Sequence, residues 1–99
     1  MEKAKAYGYL GLAARARRAV SGEFQTEAAI KNGSAKVVIL AEDASENTKK
    51  HFRDMCTFRN IPVVFLGTRE ELGHNIGREF RSSVAVTDPG LAEAMIKAL

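Results

Sequence analysis

Apolar positions recur at two different periods along this chain. Tyr7, Leu10, Ala13 and Ala14 fall at helical spacing and predict a first helix over residues 3–16. Gly8 and Gly11 interrupt its propensity, which suggests that another element packs close to them. Val20 lies in a short bridging segment with room for a brief strand. Thr26, Ala29 and Ile30 stand at i, i+3 and i+4, the inward stripe of a second helix over residues 23–32, and Gly33 suits a left-handed cap at its end.

The run KVVILA, residues 36–41, changes the period and reads as a buried strand. Asp43 and Glu46 then have capping-box spacing for a third helix over residues 45–59, with Phe52, Met55 and Cys56 inward. PVVFL is the next strand. Thr68 and Glu71 form a second capping box for a short helix ending near Ile76. SVAVT is a further strand. Asp88 caps a last helix with Pro89 at its first position, and Leu91, Met95, Ile96 and Leu99 form its core stripe.

Strands separated by helices imply a three-layer α/β/α sandwich around a central, mostly four-stranded mixed sheet. The two continuous apolar runs are expected at its centre, where both faces are covered. No repeat, low-complexity tract or linker divides the 99 residues, so one domain is expected over the whole chain.

Composition narrows the functional classes. Fifteen Lys and Arg against twelve acids give a net charge of +3, which permits an anionic partner without demanding one. Lys3, Lys5, Arg15, Arg17 and Arg18 place five positive charges in the first 18 residues, against Glu2. A lone Cys56 forms no internal disulfide, and no secretory signal is visible, so a cytoplasmic protein is expected. No apolar run approaches a membrane span.

Signatures of catalysis are absent: no GxGxxG, P-loop, GxSxG or CxxC. Two histidines and one cysteine give no recognisable metal spacing, so neither a metal nor a cofactor is expected. Cys56 falls on the inner face of its helix and reads as a structural thiol. His51 reads as a surface residue, and Glu42–Asp43 as capping chemistry rather than an acid–base pair. The chain is not expected to be an enzyme.

The second helix has an odd first turn. On a helical wheel Phe24 points away from the core, beside Gln25 and just after Gly22 and Glu23. The bland reading tucks Phe24 under a neighbouring loop. The functional reading uses the unpaired, partly positive N–H groups of the first turn, which donate to phosphate or base acceptors, with Phe24 as a stacking platform. Arg78 and Arg81 flank Phe80 in GREFRSS, a stacking and phosphate-binding pattern, unless Phe80 turns inward. The arginines of RARR sit where a helix C-terminus favours cations anyway.

LGLAARARRAVSGE, AKVVILAEDASENTKK, EELGHNIG and SSVAVTD together resemble the ribosomal protein L-seven-Ae family of kink-turn RNA binders, in its bacterial YlxQ-type branch, over nearly the whole chain. The resemblance implies an α/β/α sandwich that grips a bent helix–internal loop–helix. The N-terminus of the second helix enters the RNA groove, and the loop before the last strand closes over a flipped-out base. Carried onto this chain, the RNA-binding residues are Gly22, Glu23, Phe24, Gln25, Lys31, Asn32, Arg69, Arg78, Glu79, Phe80 and Arg81. Phe24 stands where the family usually has Asn, Ala28 where it has Lys, and Asn32 where a basic residue is frequent. Two readings therefore stand. One is a non-catalytic binder of structured RNA, kink-turn-like or rRNA-like, working beside ribosomal or translation-associated proteins. The other is a protein-interaction module on the same fold.

Overall fold

A computed structural model describes residues 3–99. They form α1 (Lys3–Arg15), β1 (Ala19–Ser21), α2 (Glu23–Lys31), β2 (Val37–Leu40), α3 (Glu46–Arg59), β3 (Val63–Phe65), α4 (Arg69–Asn75), β4 (Ser83–Val86) and α5 (Pro89–Ala98). The strands lie in the order β1-β4-β2-β3. Strand β2 runs parallel to β3, while β4 is antiparallel to both of its neighbours, so the sheet is mixed. The segment around Val20 is the brief edge strand β1, with Val20 opposite Ala85.

Alternation along the two central strands builds the sandwich. Val37, Ile39, Val84 and Val86 face one side and pack on Ala6, Leu10 and Ala13 of α1, Leu72 of α4 and Met95 of α5. Val38, Leu40 and Ala85 face the other side and pack on Ala29 and Ile30 of α2 and on Phe52 and Cys56 of α3. A one-residue slip of β2 or β4 would exchange the two faces, so both cores fix the register.

Four expectations are corrected. First, the central strands are β2 and β4, while PVVFL supplies the edge strand β3. An apolar run reports cover above and below, not the number of hydrogen-bonded neighbours. The Phe65 ring at this edge lies 5.8 Å from both Lys49 Nζ and the Arg53 guanidinium carbon. Charges so placed discourage pairing with another strand.

Second, Asp43 does not cap α3. Ser45 does, with its Oγ accepting from Thr48 N at 3.1 Å, because the extended residue next to the first turn is Ser45. The Asp43 carboxylate instead accepts from Arg69 N at 2.8 Å and so seats α4. Third, the inward line of α5 runs through Leu91, Ala92, Met95 and Ala98, which leaves Ile96 and Leu99 exposed. Small alanines at the contact let α5 approach α1 closely. Fourth, close packing on the first helix occurs at buried Gly11, where an added Cβ would lie 3.5 Å from the Asn75 carbonyl oxygen; Gly8 faces open space.

The other ends form as the sequence implies. Thr68 and Glu71 make a reciprocal capping box, Asp88 caps α5 with Pro89 following, and Gly33 closes α2 at φ +81°. Helix α1 ends with Arg17 in the left-handed region at φ 60°, while Arg18 N donates to the Ala13 carbonyl at 2.7 Å. This is the paired-bond ending usually built on glycine.

Candidate nucleic-acid interface

Strand β1 delivers the chain to Gly22, whose φ of +89° turns it into α2. A Cβ here would meet nothing within 4 Å, so the turn conformation favours glycine rather than crowding. Gly22 N donates to the Ser83 carbonyl at 3.0 Å, which continues the β1–β4 ladder into the cap. The next three amides, of Glu23, Phe24 and Gln25, meet no acceptor among the described residues. They open to solvent as the positive end of α2.

Beneath that turn, Thr26 and Ser83 are both buried, and the Ser83 hydroxyl donates to Thr26 Oγ1 at 3.3 Å. This bond fixes the rotation of α2 on the sheet, with Thr26, Ala29 and Ile30 inward. Phe24 consequently points out and is 82% exposed, so it does not fold under a loop.

The loop between α4 and β4 is held from three sides. Gly77 turns at φ +74°, and Arg78 N donates to the Gly73 carbonyl at 2.7 Å. The Glu79 carbonyl rests against Gly73, where any Cβ would collide with it. Arg81 N donates to the Arg69 carbonyl at 3.0 Å, and Arg81 Nε donates to Ser21 Oγ at 3.0 Å. Phe80 is left 62% exposed and does not turn inward.

These anchors bring the loop beside the start of α2. Ser21, Gln25, Arg78 and Arg81 border a cleft of about 350 Å³ over Ala14, Val20 and Ile76. Arg69 sits at the first position of α4, its backbone tied to Arg81 and its Nε 3.6 Å from Asp43 Oδ2. Gly22, Gln25, Arg69, Arg78, Glu79, Phe80 and Arg81 thus share one end of the sheet with the exposed Glu23 and Phe24.

Lys31 and Asn32 do not join them. They stand at the opposite end of α2, roughly 12 Å along its axis. Lys31 pairs with Glu27 at 2.9 Å, and Asn32 Oδ1 accepts from Ser34 N at 2.9 Å to close the helix turn. Glu27 also bonds His51 Nε2 at 2.9 Å. Hydrogen bonds from His51 and Lys31 hold the Glu27 carboxyl below its ordinary range. Its negative charge is therefore offset locally rather than projected at the cleft.

Two positioning residues escape a reading of the sequence. Ser21 clamps Arg81, and nothing in its spacing signals this. Gly73 seats the loop; its spacing from Gly77 is visible in the sequence, but only the fold shows what it accommodates. The remaining reactive groups keep structural roles. Cys56 is buried, and burial pushes its thiol up to about 11. Among the described residues no cluster of His, Cys, Asp and Glu could hold a metal, and no helix is long and apolar enough to cross a membrane.

Residues 4–96 match the Ribosomal protein L7Ae/L30e/S12e/Gadd45 family. The chain belongs to this family. It is 48% identical over 90 residues to the RNA-binding protein YlxQ of Bacillus subtilis, covering 91% of this chain and 90% of that protein. A protein of the same name from Enterococcus faecium is 39% identical, covering 90% of this chain and 85% of its own length. Among solved structures, a protein of unknown function from Bacillus halodurans superimposes with a TM-score of 0.92 at 41% identity, covering 96% of each chain. The Giardia lamblia 15.5kD RNA binding protein superimposes with a TM-score of 0.80 at 18% identity, covering 96% of this chain and 82% of that one. The last of these shares the α/β/α fold over a large sequence distance.

Proposed function

We propose that this family member binds structured RNA, kink-turn-like or ribosome-associated, without catalysing a reaction. The RNA would meet the N-terminus of α2 and the loop before β4. The observation that carries this reading is the convergence of Phe24, three unpartnered amides and the Arg78–Arg81 loop at one end of the sheet. In it the amides and arginines take phosphates, Phe24 stacks on a base, and Gln25 reaches a base edge. The names of the YlxQ relatives agree with it. The whole chain acts as one binding unit, in the cytoplasm, beside ribosomal or translation-associated proteins.

By the resemblance, Ala28 and Phe24 stand where the family usually has Lys and Asn, which implies two polar RNA contacts fewer. The exposed rings of Phe24 and Phe80 could equally anchor a protein partner. Binding to a kink-turn RNA, beside a variant with its sheared G·A pairs disrupted, separates these cases. Saturable, salt-dependent binding that prefers the intact kink-turn is expected. Equal affinity for both RNAs removes the kink-turn reading. Absence of saturable binding at low salt removes RNA binding altogether and leaves the protein-interaction reading.

A further inference from the structure

Lys31 belongs to a different constellation from the one its sequence position suggests. In the register of the sheet, Leu40 pairs with Ser83 at the end that carries Gly22, whereas Val37 pairs with Val86 at the other end. There the C-termini of α2 and α3 and the entry to β2 enclose a cleft of about 470 Å³. Lys31, Lys36 and Arg59 line it over Ile61 and Pro62, and no acidic residue does. Lys31 is engaged by Glu27, but Lys36 and Arg59 make no ion pair among the described residues. The Arg59 guanidinium carbon lies 5.3 Å from the centre of the Phe58 ring, which is 81% exposed.

Lys31 and Arg59 stand in last turns that favour positive charge, but neither donates to a helix-terminal carbonyl among the described residues. The carbonyls of Ala28, Ala29 and Ile30 in α2 are taken by the N–H groups of Asn32, Gly33, Ser34 and Ala35, and those of Cys56 and Thr57 in α3 by Ile61 and Asn60. Backbone N–H groups, helped at α2 by the Asn32 and Ser34 side chains, close these ends without Lys31 or Arg59. Lys36 lies outside either helix. Packing does not account for Phe58 either, since its ring leaves the core entirely. A cationic cleft next to a bare aromatic ring is the pairing used by surfaces that track single-stranded nucleic acid, with charges on the backbone and a ring under a base.

We infer that this end of the molecule is a second RNA contact. It takes a single-stranded segment, with phosphates at Lys36 and Arg59 and a base stacked on Phe58. The inference rests on the reading of the α2 N-terminus as an RNA site only in supposing one RNA that reaches both ends. Such an RNA would run along a protein whose longest extent is 28 Å. Lys31 then contributes to RNA binding as the resemblance implies, but at the second contact rather than the first.

The test uses the full chain and a triple variant, Phe58→Ala, Lys36→Gln, Arg59→Gln. These side chains are exposed, so thermal unfolding should show the fold intact. Three RNAs are titrated: a kink-turn hairpin with blunt ends, the same hairpin with a single-stranded tail, and a single-stranded oligonucleotide. The triple variant should bind the blunt hairpin like the parent. It should bind the tailed hairpin about tenfold more weakly, with a salt slope smaller by about 1.4 for two lost phosphate contacts. It should lose most of its affinity for the oligonucleotide, whereas Phe24→Ala should weaken the blunt hairpin. Equal binding of the tailed hairpin and the oligonucleotide by parent and triple variant overturns the second contact. If the parent ignores the blunt hairpin, the first site fails, and the oligonucleotide titration alone decides the second.

Discussion

Arg81 reaches across the fold to donate its Nε hydrogen to the Ser21 hydroxyl at 3.0 Å. The two residues lie on separate segments, yet this bond joins the closing loop to the strand that launches α2. Neighbouring bonds from Gly22 N to Ser83 and from Arg81 N to Arg69 complete the frame. The candidate site therefore rests on backbone already committed to the sheet.

Phe24→Ala should separate binding from folding. The ring is 82% exposed and contributes little to the core, so stability should change by no more than about 0.5 kcal/mol. RNA affinity should fall by roughly 1–3 kcal/mol if the ring stacks on a base. Urea denaturation alongside equilibrium RNA titration measures both, and an unchanged affinity would remove the stacking role.

Gly73→Ala should disturb both. A methyl group here meets the Glu79 carbonyl, so either the loop or α4 has to shift. Overpacking of this kind costs about 1–3 kcal/mol. The displaced loop should also weaken RNA binding, even though Gly73 is buried and touches no ligand. A variant with parental stability would show that the loop is not seated on this glycine.

The buried Thr26–Ser83 pair predicts a non-additive cycle. Thr26→Val strands the Ser83 hydroxyl in the interior, at a cost of about 1–3 kcal/mol. Adding Ser83→Ala removes the stranded group, and the double variant should recover most of that loss. Additive losses across the four proteins, read from denaturation midpoints, would mean that the hydroxyls do not act together.

Stability should fall at high pH through Tyr7. Its hydroxyl donates to Glu71 Oε1 at 3.2 Å, and burial, then the Glu71 charge, push its pKa to about 12. The folded state thus holds this proton more tightly than the unfolded chain does. The stabilisation is complete below about pH 10, the ordinary phenol value, and is lost as pH rises through about 12. Tyr7→Phe should flatten this alkaline decline in the denaturation midpoint. Glu71 works in the opposite direction: its bond from the Thr68 N–H, and then that from Tyr7, hold its carboxyl below the ordinary range. Its contribution is present above the ordinary carboxylate pKa and is lost as pH falls through the depressed value.

Periodicity carries most of the architecture. The outward aim of Phe24 follows from Thr26, Ala29 and Ile30 alone, because a helix that buries one stripe must expose the opposite one. Strand order is less legible, since PVVFL and KVVILA look alike as apolar runs while only one has neighbours on both sides. Capping went astray at Asp43, because several polar residues compete there and tertiary contact with Arg69 decides between them. At the site, sequence identifies the arginine loop and the glycine turn. The predicted bounds of the second helix already put Lys31 and Asn32 at its far end; they join the site only through the resemblance, and the structure keeps them at the end of α2 away from the loop. The Ser21 clamp depends on a contact between segments and leaves no local trace.

Strand β4 carries the continuity of the whole arrangement: it pairs with β1 and β2, and its first residue accepts the Gly22 N–H. A surface mounted this way has little freedom left to adapt to a visitor. Whatever docks there must supply the deformation itself, so flexible partners that can bend are favoured over stiff ones, and affinity should track how readily the partner yields.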